Sequence, residues 1–131
     1  MIGLDTNVLV RYIMQDDPKQ AAKATKLVES LTPTEQGLVT LVTVVELFWV
    51  LASAFELSRG QIVEAFDRLI RAKQLVVEQR DQVVRALRAY GSSSADFPDC
   101  LSERTATAAG CDKVMTFDVG ASKHAGMTLI V

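Results

Sequence analysis

Short apolar runs alternate with amphipathic stretches along the whole chain, and that alternation limits the possible folds more than any other feature. "MIGL", "GLVTLVT", "LVVE", "KVMTF" and "MTLIV" have the length and apolar content of buried strands. Between them the apolar spacing becomes helical. The first helix runs from Thr6 to about Met14. "DDPKQAAKATKLVESL" is the second, with Asp17 as N-cap, Pro18 at the first helical position, and Ala21, Ala24, Leu27, Val28 and Leu31 on one face. Thr43 is expected to open a long apolar helix reaching about Leu57. Ser58 caps "RGQIVEAFDRLIRAK", with Ile62, Phe66, Leu69 and Ile70 as its stripe. "RDQVVRALRAY" and "DCLSERTATAAG" are two further helices; the breaker-rich "GSSSADFP" separates them and Gly110 stops the second. Strands separated by helices predict an α/β fold with a parallel or mostly parallel sheet and helices on both faces. At 131 residues the expectation is a single domain, 1–131, with a full hydrophobic core.

Composition removes several classes. Apolar residues make up 49% of the chain, too many for disorder, yet no run reaches the length of a membrane span. The first residues lack the basic-then-apolar layout of a secretory signal, so a cytoplasmic location is expected. Cys100 and Cys111 have no second Cys/His pair to complete a metal tetrad, and free thiols are expected there. A net charge of −2 argues against a general nucleic-acid coat, which needs a basic surface. It leaves room for an enzyme that meets a few phosphates through a bound cation.

The acids carry the chemistry. In a parallel sheet with right-handed crossovers, every strand's carboxyl end lies on one edge. Asp5 closes the first strand and Asp118 the fourth. Glu46 is expected in the first turn of the helix after the second strand, and Asp99 in the first turn of the helix before the fourth. Each has a structural alternative. Asp5 and Asp118 suit N-caps or turns, Thr43 to Glu46 suits a capping box, and Asp96 to Asp99 an acidic version of one. Glu46 fits that account least, because Val44, Val45, Leu47, Phe48 and Trp49 surround it in sequence. Taken together the four acids imply more. Two carboxylates about 5 Å apart repel by roughly 3 kcal/mol at an effective dielectric of 20. A hard divalent cation, Mg²⁺ or Mn²⁺, removes that conflict. An all-carboxylate site with a hydrated cation suits phosphodiester hydrolysis. His124 is the only histidine, no Ser-His or Cys-His arrangement accompanies the strand ends, and no glycine-rich phosphate loop is present.

"LDTNVLVRY" at the start, "TVVELFWVL" around Glu46, "ADFPDCL" around Asp99 and "TFD" at Asp118 together resemble the PIN-domain ribonucleases. More narrowly they resemble the VapC toxins of bacterial toxin–antitoxin pairs. The resemblance spans almost the whole chain. It implies a compact α/β/α sandwich with a central, mostly parallel sheet, and Mg²⁺-dependent endonucleolytic cleavage of structured RNA such as tRNA or rRNA loops. It also implies a cognate antitoxin and frequent homodimerisation; the lack of a spanning apolar run leads to the expectation of no membrane partner. The family's acidic metal set carries over to Asp5, Glu46, Asp99 and Asp118, with Thr6, Asn7 and Thr116 in support. Pro98 departs from the small residue relatives often have before the third acid, and Asp96 stands close by as a helix cap or supporting acid. The antitoxin is expected in an apolar groove between early helices, with Leu31, Trp49 and Phe55 as candidate walls. Arg59, Arg68, Arg71, Arg80, Arg85 and Arg88 are candidate RNA contacts, against the alternative of solvated helix faces.

Two other readings fit the sequence less well. A phosphoacceptor receiver domain needs an acidic pair after the first strand, an acceptor Asp after the third and a Lys after the last, and "VVEQRD" and the closing "LIV" do not supply them. A PIN-like module that binds RNA or protein without cutting is disfavoured by the complete acid set.

Overall fold

Five short strands and seven α-helices realise the alternation in the computed structural model, which describes every residue from Met1 to Val131. The chain divides into two compact units, Met1–Glu78 and Gln79–Val131. All strand pairings between named strands are parallel, as the alternation requires, and the strands are hydrogen-bonded as a set of three and a set of two.

The first unit contains β1 (Ile2–Gly3), α1 (Thr6–Met14), α2 (Pro18–Ser30), β2 (Gly37–Val39), α3 (Leu41–Trp49), α4 (Arg59–Arg71) and β3 (Leu75–Val77). The sheet order is β1-β2-β3, with Ile2 opposite Gly37 and Leu38 opposite Val76. Gly37 is there because the strand passes close to two leucines. A Cβ at that position would lie 2.8 Å from Leu4 Cδ1 and 2.9 Å from Leu31 Cδ1. Asp17 caps α2, accepting from the amides of Lys19 and Gln20 with Pro18 in the first turn, and Ala21, Ala24 and Val28 are buried. Ser58 and Gln61 form a reciprocal capping box on α4, whose buried face carries Ile62, Ala65, Phe66, Leu69 and Ile70.

The helix after β2 departs from expectation at both ends. Thr40, not Thr43, is its N-cap, accepting a hydrogen bond from the Thr43 amide at 3.3 Å. The strand therefore stops at Val39, three residues earlier than its apolar pattern suggests. At the other end α3 gives way at Val50 to a π-helical turn, Val50–Ala54, which closes with Glu56 in a left-handed conformation (φ 51°).

The second unit contains α5 (Arg80–Gly91), α6 (Phe97–Ala108), β4 (Met115–Thr116), α7 (Val119–His124) and β5 (Thr128–Leu129), with Met115 opposite Thr128. Helices α5 and α6 pack together, and the rings of Tyr90 and Phe97 meet edge to face at 6.0 Å. Gly110 ends α6 as its position predicts. With φ at 100°, it lets the amides of Gly110 and Cys111 return to the carbonyls of Thr107 and Ala106. Helix α7 was not expected. Its signal is an aspartate followed by small residues, "DVGAS", too short to show a periodicity. Cys100 is buried and Cys111 exposed, and both are free thiols. No helix is long and apolar enough to cross a membrane.

Candidate functional site

Each acid singled out in the sequence has a distinct local setting. Asp5 follows β1 and is the backbone N-cap of α1, its carbonyl accepting from the Val8 amide at 3.1 Å. Its carboxylate makes no capping hydrogen bond and is exposed, so the role a cap would give it is unfilled. The next residue, Thr6, is 5% exposed, and its Oγ1 is buried without a hydrogen-bond partner. A buried hydroxyl in that state costs free energy unless something else engages it. Asn7, one residue further on, is exposed.

Glu46 is where the sequence misleads. Because α3 starts at Leu41, Glu46 lies in its second turn and takes no part in a capping box. Its apolar neighbours in sequence are distributed around the helix: Val44, Leu47 and Phe48 are buried, while Glu46 is exposed. It shares the exposed face with Val42 and Trp49, four residues before and three after, which are 67% and 47% exposed. The carboxylate therefore needs no buried partner. Helices α1 and α3, which carry Asp5 and Glu46, pack against each other.

In the second unit Asp96 is the backbone N-cap of α6, yet its side chain makes no capping hydrogen bond. The acidic capping box, the structural alternative for Asp96 and Asp99, is thus not formed. Asp99 lies in the first turn of α6 and is partly buried. Burial, and secondarily the negative charge of Asp118, raises its carboxyl above the ordinary aspartate range. The Asp118 contribution places Asp99 within electrostatic reach of that charge.

Asp118 itself is well fixed. As N-cap of α7 it accepts from the Ala121 amide through Oδ1 at 2.9 Å, which leaves Oδ2 outside the cap. The Thr116 hydroxyl accepts from the Asp118 amide at 3.0 Å and so holds the turn that presents the acid. One further residue, missed in the sequence, keeps space for this carboxylate. A Cβ on Gly120 would lie 3.1 Å from Asp118 Oδ1. The available signal was only a glycine two residues after an acid.

Within each unit, no three His, Cys, Asp or Glu side chains come close enough together to surround an ion. The donors present nonetheless suit a hard cation. In the first unit these are the Asp5 carboxylate oxygens, with the unpartnered Thr6 hydroxyl next in the chain; in the second, Asp118 Oδ2. Of the candidate arginines, Arg68 is ion-paired with Glu64 at 2.7 Å and Arg71 with Asp67 at 2.8 Å, each one turn away on α4. Arg80, Arg85 and Arg88 are exposed on α5. Leu31, a candidate partner wall, is buried beside Gly37, and Phe55 is half-buried.

Asp5 and Asp118 thus stand at strand-to-helix turns and Asp99 in a first helical turn of a parallel α/β fold. The family model for the PIN domain matches residues 2–127. The chain belongs to the PIN domain family, whose members are generally nucleases and typically use a divalent metal. No curated protein and no solved structure matches it.

Proposed function

We propose that this protein is a divalent-metal-dependent endoribonuclease and the toxin of a toxin–antitoxin pair. The observation that carries the catalytic part is the PIN-domain match over residues 2–127; in support, burial and then the charge of Asp118 hold the Asp99 carboxyl above the ordinary aspartate range. A bound cation would offset the cost that burial and the nearby Asp118 charge place on an ionised Asp99. Asp5, Glu46, Asp99 and Asp118 form the acid set in this reading, with Mg²⁺ as the cation and Mn²⁺ able to substitute. Bound to them, the cation supplies activation of a water and neutralises charge on the phosphate and leaving oxygen. The chain's own residues do the positioning. The Ala121 amide fixes Asp118 Oδ1, the Thr116 hydroxyl holds the Asp118 turn, and the Thr6 hydroxyl is a donor in reserve beside Asp5.

The toxin part rests on the narrower resemblance of the motifs and on a groove suited to a protein partner. The groove measures about 580 Å³ and lies among α1, α2 and α4, with Tyr12, Ile13, Val28, Leu57, Ala65 and Leu69 in its lining. It falls between early helices, although its walls are not Leu31, Trp49 or Phe55. An antitoxin helix laying an apolar face there is the partner we assign to it.

Purified protein should cleave RNA with Mg²⁺ or Mn²⁺, stop in EDTA, and leave 5′-phosphate and 3′-hydroxyl ends. Such ends follow from attack by water rather than by the ribose 2′-hydroxyl. Products ending in 2′,3′-cyclic phosphate, or undiminished cleavage in EDTA, would sink the reading.

A further inference from the structure

A second groove, of about 300 Å³, runs between α1 and α2, lined by Asn7, Val8, Arg11, Gln20, Lys23, Ala24 and Leu27. We propose that it binds the sugar-phosphate backbone of single-stranded RNA, with Lys23 and Arg11 as phosphate contacts. The inference deepens the nuclease reading above and rests on it.

Charge is the first argument. The groove's lining has two cations and no acid. The helix pair, residues 6–30, holds four cations against three acids, Asp16, Asp17 and Glu29, a local net charge of +1 in a chain whose net charge is −2. The two acids at the turn between the helices are already engaged, and Glu29 lies in the last turn of α2, outside the groove's lining. Asp16 accepts from Arg11 Nη1 at 3.0 Å, and Asp17 caps α2. Lys23 is exposed and has no ion pair, and Lys19 and Lys26 flank it one turn away on either side of α2. An unneutralised lysine row beside a groove is a phosphate-tracking surface of the kind that makes nucleic-acid affinity salt-dependent.

Preorganisation is the second. Arg11 is not a free surface side chain. Its Nε donates to Gln20 Oε1 at 2.8 Å and its Nη1 to both oxygens of Asp16, which leaves Nη2 held in place without a protein partner. A guanidinium fixed in this way loses little freedom on meeting a phosphate. Continuity is the third argument. Asn7 lines the groove and lies two residues from Asp5 on the same helix start. A strand lying in the groove therefore runs toward the Asp5 carboxylate. The apolar lining from Val8, Ala24 and Leu27 accommodates sugar and base faces between the polar contacts.

The test measures binding of a fluorescein-labelled single-stranded RNA to the cleavage-deficient Asp118→Asn protein, from about 50 to 200 mM salt. Adding Lys23→Gln should weaken binding several-fold and lower the salt slope by about 0.7 for the lost phosphate contact. Lys23→Glu should weaken it further. Lys73→Gln, equal in charge change but located in the turn before β3, should bind like the parent. In the active protein, Lys23→Gln should raise KM and leave kcat nearly unchanged. If the parent cleaves RNA while both Lys23 variants keep parental affinity and salt slope, the groove assignment is overturned and the nuclease reading stands. A parent that neither binds nor cuts RNA overturns both.

Discussion

Burial and the charge of Asp118 keep the Asp99 carboxyl protonated to a higher pH than a free aspartate. The direction of the effect on stability follows from proton counting. Between the unfolded value of 3.8 and the raised native value, the native state holds more protons than the unfolded state. Metal-free stability should therefore fall as pH rises through that window and recover as pH drops back toward the unfolded value. Asp99→Asn removes this dependence and the neutral-pH penalty with it. Urea unfolding in EDTA, from about pH 4 to pH 7, should show the variant more stable than the parent at the upper end and a flatter profile between. A parental slope in Asp99→Asn would mean that its ionisation is not perturbed. Asp99 was singled out over Asp96 because its place directly before the apolar pair Cys100 and Leu101 resembles the PIN-domain pattern. Its perturbation was not legible, since that depends on how far α6 is buried and on Asp118 arriving from a distant strand. Glu46 shows the opposite failure. Its sequence neighbours are apolar, but helical rotation carries them to the buried side and leaves the acid exposed.

Elements decide how accurately these acids are aimed. The start of α3 was misplaced by three residues because "GLVTLVT" is uniformly apolar and two threonines compete for the cap. Thr40 wins, and the helix begins one residue after β2. By contrast α2 and α4 were readable nearly to the residue, because Asp17-Pro18 and Ser58 with Gln61 are unambiguous start signals. Helix α7 was invisible because six residues cannot display a 3.6-residue period, yet it holds Asp118. Its Gly120 offers an element-scale test. Glycine to alanine in a helix ordinarily adds up to about 1 kcal/mol of stability. At Gly120 the new Cβ would lie 3.1 Å from Asp118 Oδ1, so the carboxylate must shift by a few tenths of an ångström. Gly120→Ala should therefore lower kcat/KM, by roughly 10-fold given how steeply rate depends on alignment, with less than the usual gain in stability. Gly60→Ala in α4 is the control, since nothing lies within 4 Å of the added carbon. It should raise stability and leave the rate alone. If the two variants behave alike, Gly120 does not make room for the acid.

At the scale of the molecule, the PIN match covers both units, and the assigned acids divide evenly between them: Asp5 and Glu46 in Met1–Glu78, Asp99 and Asp118 in Gln79–Val131. The fold class was readable because an alternating pattern with parallel crossovers has few solutions. The division of the chain into units was not, because no breaker-rich linker separates Glu78 from Gln79. A metal-binding role and a merely local role for each acid make different demands on the whole chain. An ion that binds only the folded state stabilises it by RT ln(1 + [L]/Kd), about 2.7 kcal/mol at a hundredfold excess over Kd. At about 4 °C per kcal/mol for a chain of this size, Mg²⁺ should raise Tm by roughly 10 °C. Neutralising Asp5 or Asp118 with Asn should remove most of that shift and abolish cleavage. Asn remains a competent N-cap, so the metal-free melt of Asp118→Asn should match the parent or exceed it. Glu46→Gln is the more demanding case, because an exposed glutamate without a metal role is worth within about 0.5 kcal/mol of nothing. Melting curves in EDTA, in millimolar Mg²⁺ and in NaCl of equal ionic strength separate ion binding from screening. A parental Mg²⁺ shift in Glu46→Gln would remove Glu46 from the acid set, and a shift reproduced by NaCl would remove the metal site altogether.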